Sequence, residues 1–317
     1  MQQRCSIPPV VVLGRILSTL GYSDRAMRLL GKHVNSSWWK SRSFAGYTPT
    51  AHDVFVATFA KSGTNWMMQI AQQIASFGNA EFEHIHDLVA WPDAPFPEIK
   101  AQLHDPAIAE GSPSGLRVIK THFERTYVPF NDQTKYLVVI RDPKEIIVSG
   151  YYFAGAALNA LRIQYDLEQW LDSAMQPNTF LFGDWAAHTA GWWALRDKPN
   201  VLIITFDELK KHTADIIRQV AALMNVQLTQ EQADLILEKS SFAWMKDHES
   251  CFKPPALPQP KGKKRPVMIR SGKAGKSTEL LTSKQQKKID LFFSARLKAL
   301  GSDFPYHQFL ADSSKQS

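Results

Sequence analysis

Lys61, Ser62, Gly63 and Thr64 stand between an apolar run, Val54-Phe55-Val56-Ala57, and a helix-patterned stretch from Met67 to Phe77. A β-branched and aromatic run that feeds a turn and then a helix leaves backbone N–H groups unpaired at the helix start, where hydrogen bonding and the helix dipole both favour an anion. Lys61 adds a full charge, Ser62 and Thr64 add hydroxyl donors, and Gly63 removes a side chain that would hold the backbone away from a phosphate. The chemistry implied is oxyanion binding. The Walker pattern G-x-x-x-x-G-K-[ST] is not met, because Phe55 and Ala60 occupy its glycine positions.

Two further pairs extend this chemistry. Lys120 and His122 are two residues apart at the end of the short apolar run Leu116 to Thr121, so as strand residues they point the same way. In an open α/β sheet the carboxyl end of a strand borders the ligand crevice. A lysine ammonium there favours neutral imidazole, the form a general base needs. Arg141 follows a third apolar run, Tyr136 to Ile140, and Ser149 lies eight residues on, along a helix that Pro143 opens and Asp142 caps. A guanidinium and a hydroxyl so spaced converge on one phosphate if that helix turns back over the sheet.

The elements that must position these groups follow from hydrophobic pattern. Four short apolar runs separated by helical stretches, the fourth from Asn200 to Phe206, give an α/β protein with a parallel central sheet flanked by helices. Residues 1–50 read as an N-terminal helical arm with an aromatic loop at Trp38 and Trp39, residues 51–300 as the catalytic domain, and 301–317 as a C-terminal tail. Within the domain, the proline- and lysine-rich stretch 253–268 reads as a mobile loop over the site. Phe82 to Leu88 reads as a strand carrying His84 and His86 on one face, with no third ligand at metal spacing, so no metal is assigned. Trp91 and Phe96 read as the wall of an apolar pocket. Asp207, after the fourth strand, reads as a helix cap and not as a magnesium ligand.

Composition narrows the class. At 317 residues and 44% hydrophobic, the chain is globular and buries a sizeable core. No run is long enough to span a bilayer, and Cys5 and Cys251 form neither a disulfide framework nor a metal site, so a soluble cytoplasmic protein with no membrane partner is expected. The net charge of +7 asks for a polyanionic partner, and Lys261 to Arg265 with Arg270, Lys273 and Lys276 concentrate the excess in one region.

Thr58 to Trp66, TFAKSGTNW, resembles the 5′-phosphosulfate loop of the cytosolic-type sulfotransferases, usually written TYPKSGTTW. Lys120-Thr121-His122 resembles that family's Lys-x-His with its catalytic base, and VIRDPKEIIVSGYYF resembles its 3′-phosphate motif through Arg141 and Ser149. Arg270-Ser271-Gly272, with Ala274-Gly275, is similar to its C-terminal RKGxxG element. All four occur in family order between about 50 and 300. The resemblance implies a P-loop-NTPase-like sulfotransferase fold and a donor, 3′-phosphoadenosine 5′-phosphosulfate (PAPS, leaving PAP as product), with no metal. It places the 5′-phosphate on Ser62, Gly63, Thr64, Asn65 and Trp66, with Lys61 at the bridging oxygen of the leaving phosphate, and the 3′-phosphate on Arg141, Ser149, Arg270, Ser271 and Gly272. It further implies that Trp66 and Phe242 sandwich the adenine, that Ser240 and Met245 complete its pocket, and that Phe206 stands where the family has a nucleotide-bonding Tyr. His122 is then the base, with Lys61 and Lys120 meeting charge on the leaving phosphate and the transferring group.

Ser271 departs from the family's lysine, Lys276-Ser277 from its Asp-Trp, and Ser283 and Lys287 from its dimerisation motif, which leaves monomer or homodimer open. Aromatic residues around Trp91, Phe96, Tyr152 and Phe153 suggest a hydrophobic phenol or alcohol as acceptor, and leave open a small apolar alcohol, a large polyketide or steroid, and an amine. Two rivals differ in class. A small-molecule kinase would use the same sheet but need magnesium ligands; a non-catalytic basic binder of nucleotides or nucleic acid would not need His122, and no nucleic-acid recognition element accompanies the charge.

Overall fold

In the computed structural model, which describes residues 9–94, 101–160, 163–253 and 279–314, each of the four apolar runs is a strand: β1 (Asp53–Ala57), β2 (Arg117–Thr121), β3 (Lys135–Ile140) and β4 (Val201–Thr205). They pair in the order β2-β1-β3-β4, all parallel, with Phe55 opposite Ile119 on one side and Tyr136 on the other. A parallel sheet is covered on both faces by its crossovers, which is why these strands are continuously apolar. Alternation along each strand divides the interior in two. Phe55, Ala57, Ile119, Tyr136, Val138 and Ile140 enter one core; Val54, Val56, Val118, Leu137 and Val139 enter the other.

The first core is covered by the N-terminal arm, α1 (Pro9–Thr19), α2 (Ser23–Val34) and α3 (Ser37–Ser43). The second receives α4 (Thr64–Ala75), which follows β1 directly. A one-turn helix, α5 (Ala107–Glu110), precedes β2. After β3 the chain returns to the first core as α6 (Pro143–Ala160), α7 (Leu167–Ala174) and α8 (Trp185–Trp193). After β4 it builds the second with α9 (Phe206–Lys211), α10 (Thr213–Leu223), α11 (Gln230–Lys239) and α12 (Phe242–Asp247). Finally α13 (Ser283–Ala299) and α14 (Tyr306–Ser314) rejoin the first core. Trp170 and Trp192 anchor that core fully buried, each indole N–H donating to a backbone carbonyl, of Ile147 and Phe123.

Ionic networks brace the sheet at both ends. At the amino ends, buried Asp53 accepts from Arg117 Nε at 2.9 Å and Nη2 at 2.7 Å, while the Tyr47 hydroxyl donates to its other oxygen. At the carboxyl ends, Lys144 on α6 bridges Asp142 and Asp290 of α13, and the Tyr306 hydroxyl donates to Asp290. Arg296 pairs with Asp184, the N-cap of α8, at 2.8 Å.

Several local expectations are corrected. His84 and His86 lie at a single 3₁₀ turn, Ile85–Asp87, because the His84 side chain and Asp87 close a capping box there. The α9 cap is Thr205 in a box with Glu208, so Asp207 sits within the first turn. Trp38 and Trp39 belong to α3, which Ser36 caps, and Ser23 is the first residue of α2 with no side-chain cap before it. Asp142 does accept the Lys144 N–H at 2.8 Å, as a cap should. Beyond residue 300 the chain forms α14 and buries Phe304, Tyr306 and Phe309.

Candidate active site

Because all four strands run the same way, their carboxyl ends share one edge, and the strand order sets what meets there. His122 follows β2, the 58–63 loop follows β1, Arg141 follows β3 and Phe206 follows β4.

The loop is tied at its base by the Thr58 N–H, which donates to the Thr121 carbonyl at 3.1 Å. The Thr58 and Thr64 hydroxyls meet at 2.6 Å, so Thr64 closes the loop with the group expected to face an anion. Lys61 and Gly63 have positive φ, 68° and 92°. A Cβ at Gly63 would lie 2.9 Å from the Phe206 ring, so packing as well as backbone conformation requires glycine. Gly63 is the N-cap of α4 and supplies no side-chain cap; among the described residues the N–H groups of Gly63, Thr64, Asn65 and Trp66 meet no acceptor. Ser62 Oγ is buried with no partner among the described residues. Unpaired donors so placed at a helix start can hold an anion.

Beside the loop, Arg141 donates through Nη1 to the Lys61 carbonyl at 2.9 Å and through Nη2 to Glu145 at 3.3 Å, with its guanidinium 4.3 Å from the Phe206 ring. The Trp185 indole N–H fixes the Arg141 carbonyl at 3.1 Å. Ser149 is half-buried on α6. Lys61 Nζ lies 4.2 Å from the Phe153 ring, and Lys120 Nζ 3.3 Å from the Trp91 ring.

His122 is held on three sides. Its Nδ1 is 2.8 Å from the Thr58 carbonyl; a carbonyl only accepts, so Nδ1 carries the proton and Nε2 keeps the lone pair. Its backbone N–H donates to Asp93 Oδ2 at 2.8 Å, and Trp91 stands edge-on to its ring at 5.7 Å. Burial, then Lys120, hold its pKa well below the ordinary imidazole range. Burial and repulsion by Arg141 lower Lys61 to about 8. Lys120 falls to about 7 through burial and Lys61, although Asp93 opposes the shift. Burial raises Asp93 to about 6. Burial is thus the main reason that both lysines lie below their usual range at this edge, while Glu145 pairs with Arg141 and Asp93 faces Lys120.

Expectations for the adenine pocket divide. Trp66 meets Phe206 edge to face at 6.1 Å, and its indole N–H is buried without a partner among the described residues. Ser240 Oγ is also buried and unpartnered among them. Met245 belongs to the second core, whereas Phe242 is 44% exposed. Asn65 turns its amide to the Phe252 carbonyl at 3.2 Å. Arg270, Ser271, Gly272, Phe96 and most of the 253–268 loop lie outside the described residues.

Two buried groups at this edge escaped sequence reading. Asp93 was hidden in a Pro-rich segment, its signal being only its place after Trp91-Pro92. His188 sits on α8, edge-on to Phe59 at 5.7 Å, with Nε2 unpartnered among the described residues and a pKa lowered by burial to about 3. Its signal was a histidine among the apolar positions of an amphipathic helix.

A model of the sulfotransferase domain matches residues 51–301. The chain belongs to the sulfotransferase family. This sulfotransferase is 30% identical to 3-beta-hydroxysteroid sulfotransferase of Cavia porcellus over 200 residues, 62% of this chain and 67% of that one. It is 27% identical to sulfotransferase 2A1 of Macaca fascicularis over 259 residues, 80% and 87% of the two chains. Its fold matches that of mouse sulfotransferase SULT7A1 complexed with PAP, at TM-score 0.63 and 19% identity over 89% of this chain and 95% of that one. Retinol dehydratase in a complex with retinol and PAP matches at TM-score 0.65 and 19% identity over 85% and 88%.

Proposed function

We propose that this sulfotransferase moves a sulfuryl group from PAPS to a hydroxyl of a hydrophobic small molecule of hydroxysteroid type, with His122 as base and without a metal. The observation that carries the reading is the convergence of Lys61, Lys120, Arg141 and a His122 whose Nε2 keeps its lone pair, beside unpaired N–H groups at the start of α4. Buried cations that lower one another's pKa fit a ligand with several negative charges, and the unpartnered Ser62 and Ser240 hydroxyls fit a polar one. The PAP in the two structures of like fold supports the same donor, and the hydroxysteroid names of the relatives support the acceptor class.

Bound PAPS supplies an activated sulfuryl group with a phosphate as leaving group. Residues 62–66 would hold the 5′-phosphate by backbone N–H groups, and Arg141 with Ser149 the 3′-phosphate. His122 Nε2 takes the proton of the acceptor hydroxyl, and its neutral form persists because burial and Lys120 disfavour imidazolium. Lys61 would meet the charge that builds on the leaving phosphate, and Lys120 would steady the transferring group, both as the ammonium forms that a bound polyanion favours. Trp91 and Phe153 wall the site with flat apolar surface.

Calorimetric titration with 3′-phosphoadenosine 5′-phosphate, with and without magnesium and beside ATP, tests the donor. Metal-independent binding that requires the 3′-phosphate is expected; preference for magnesium ATP would overturn the reading in favour of a kinase.

A further inference from the structure

Of the ten large apolar side chains that the described residues expose, six lie between residues 12 and 38: Val12, Leu13, Ile16, Leu20, Tyr22 and Trp38. Val12, Ile16 and Leu20 are spaced by four and form one ridge along α1 and its end, with Leu13 beside it. The other side of α1 is apolar as well, for Val10, Val11 and Leu17 pack on the first core and Gly14 is buried against Ile163 and Leu30. Apart from a polar stripe of Arg15, Ser18 and Thr19, α1 is apolar on both its inner and outer sides, and an apolar side is ordinarily covered. Here the outer side, with Ile16 52% and Leu20 65% exposed, faces solvent.

The charges nearby indicate what covers it. Between residues 9 and 43 the sequence has Arg15, Arg25, Arg28, Lys32, Lys40 and Arg42 against one acid, Asp24. Lys40 is spent on Glu124, and Arg28 lies beside Asp24. Arg25 stacks on exposed Tyr22 at 4.7 Å and Arg42 on exposed Trp38 at 4.8 Å. A ring with a guanidinium on its face is an amphipathic unit suited to a lipid headgroup layer, apolar body inward and charge at the phosphates. A second copy of the chain would set this cation excess against itself, whereas an anionic bilayer neutralises it.

We propose that the N-terminal arm is a peripheral docking surface for an anionic lipid bilayer. Val12, Leu13, Ile16 and Leu20 enter the headgroup boundary while Arg25, Lys32 and Arg42 hold the lipid phosphates. No helix among the described residues is long and apolar enough to cross a membrane, and surface docking asks for none. The proposal amends the expectation of no membrane partner and is independent of the donor and acceptor proposed above.

The test is co-sedimentation of the full chain with vesicles of phosphatidylcholine alone, or containing roughly 30 mol % phosphatidylserine. Binding to the anionic vesicles only, weakened between roughly 0.1 and 0.5 M salt, is expected. Leu13→Ser, Ile16→Ser and Leu20→Ser combined should abolish it, in a protein whose circular dichroism and Tm show it folded. Arg25→Gln with Lys32→Gln should weaken it about 25-fold, about fivefold per charge; both side chains are exposed, so this variant decides the question even if the serine variant misfolds. Wild-type protein left in the supernatant with anionic vesicles at low salt would overturn the proposal. So would binding unchanged in folded serine or glutamine variants. Absence of vesicle binding together with a dimer, seen by sedimentation velocity and dissolved by the serine substitutions, would assign the ridge to a second copy instead.

Discussion

Nucleotide binding to this sulfotransferase should take up protons. In the free protein Lys120 titrates at about 7 and Lys61 at about 8, because both are buried and repelled by neighbouring cations. A ligand carrying several negative charges favours the ammonium form of each and returns them to the usual lysine range, near 10. At a pH near 7.5 the free protein holds roughly a quarter of a proton on Lys120 and about three quarters on Lys61, so binding draws in about one proton. The uptake is about 0.1 at a pH near 6 and about 1.7 near 9. Groups whose pKa rises on binding contribute affinity that is full below their free pKa and lost above it. The dissociation constant of 3′-phosphoadenosine 5′-phosphate should therefore weaken roughly twentyfold between pH 6 and 8. Titration calorimetry in HEPES and in Tris separates the proton count from the binding heat, through the buffers' different ionisation enthalpies. Lys120→Met should remove about three quarters of the uptake near pH 7.5. No uptake at that pH, with a dissociation constant constant from 6 to 8, would refute the argument that these lysines wait for a polyanion.

His122→Ala should keep nucleotide affinity and lower kcat by a factor on the order of 10² to 10⁴, the usual contribution of a general base; stopped-flow turnover checks it. Asp93→Asn keeps an acceptor for the His122 N–H but removes the charge that sustains Lys120, so the loss of affinity with rising pH should begin at lower pH. Gly63→Ala should destabilise by about 1–3 kcal/mol through positive φ and contact with Phe206, and Phe206→Ala should relieve the contact part only; urea unfolding of the two single variants and the double variant measures both.

The four strands and the loop after β1 were legible because a parallel sheet demands uninterrupted apolar runs, and Val54 to Ala57 or Tyr136 to Ile140 leave no room for an amphipathic alternative. Strand order followed from no local signal, yet it decides that His122 and Arg141 flank Lys61. The misread segments are those where one side-chain hydrogen bond outweighs pattern: the His84–Asp87 box made a turn of an apparent strand, and Thr205 with Glu208 took the cap from Asp207. Asp93 and His188 matter only through partners distant in sequence, Asp93 through the His122 N–H and His188 through the ring of Phe59. Periodicity is silent about such pairs.

The ionic clasp between α6 and the last two helices has a consequence for inheritance. Asp142, Lys144, Asp290 and Tyr306 share one partly buried network, and Asp184 pairs with Arg296 beside Trp185, whose indole N–H donates to the Arg141 carbonyl. A recombination event that joins the front of one sulfotransferase to the back of a diverged relative would mate unmatched halves of this clasp, and the mismatch would be felt at Arg141. Residues 142–148 and 283–306 should therefore descend together, and exchanges among relatives that survive should break the chain elsewhere.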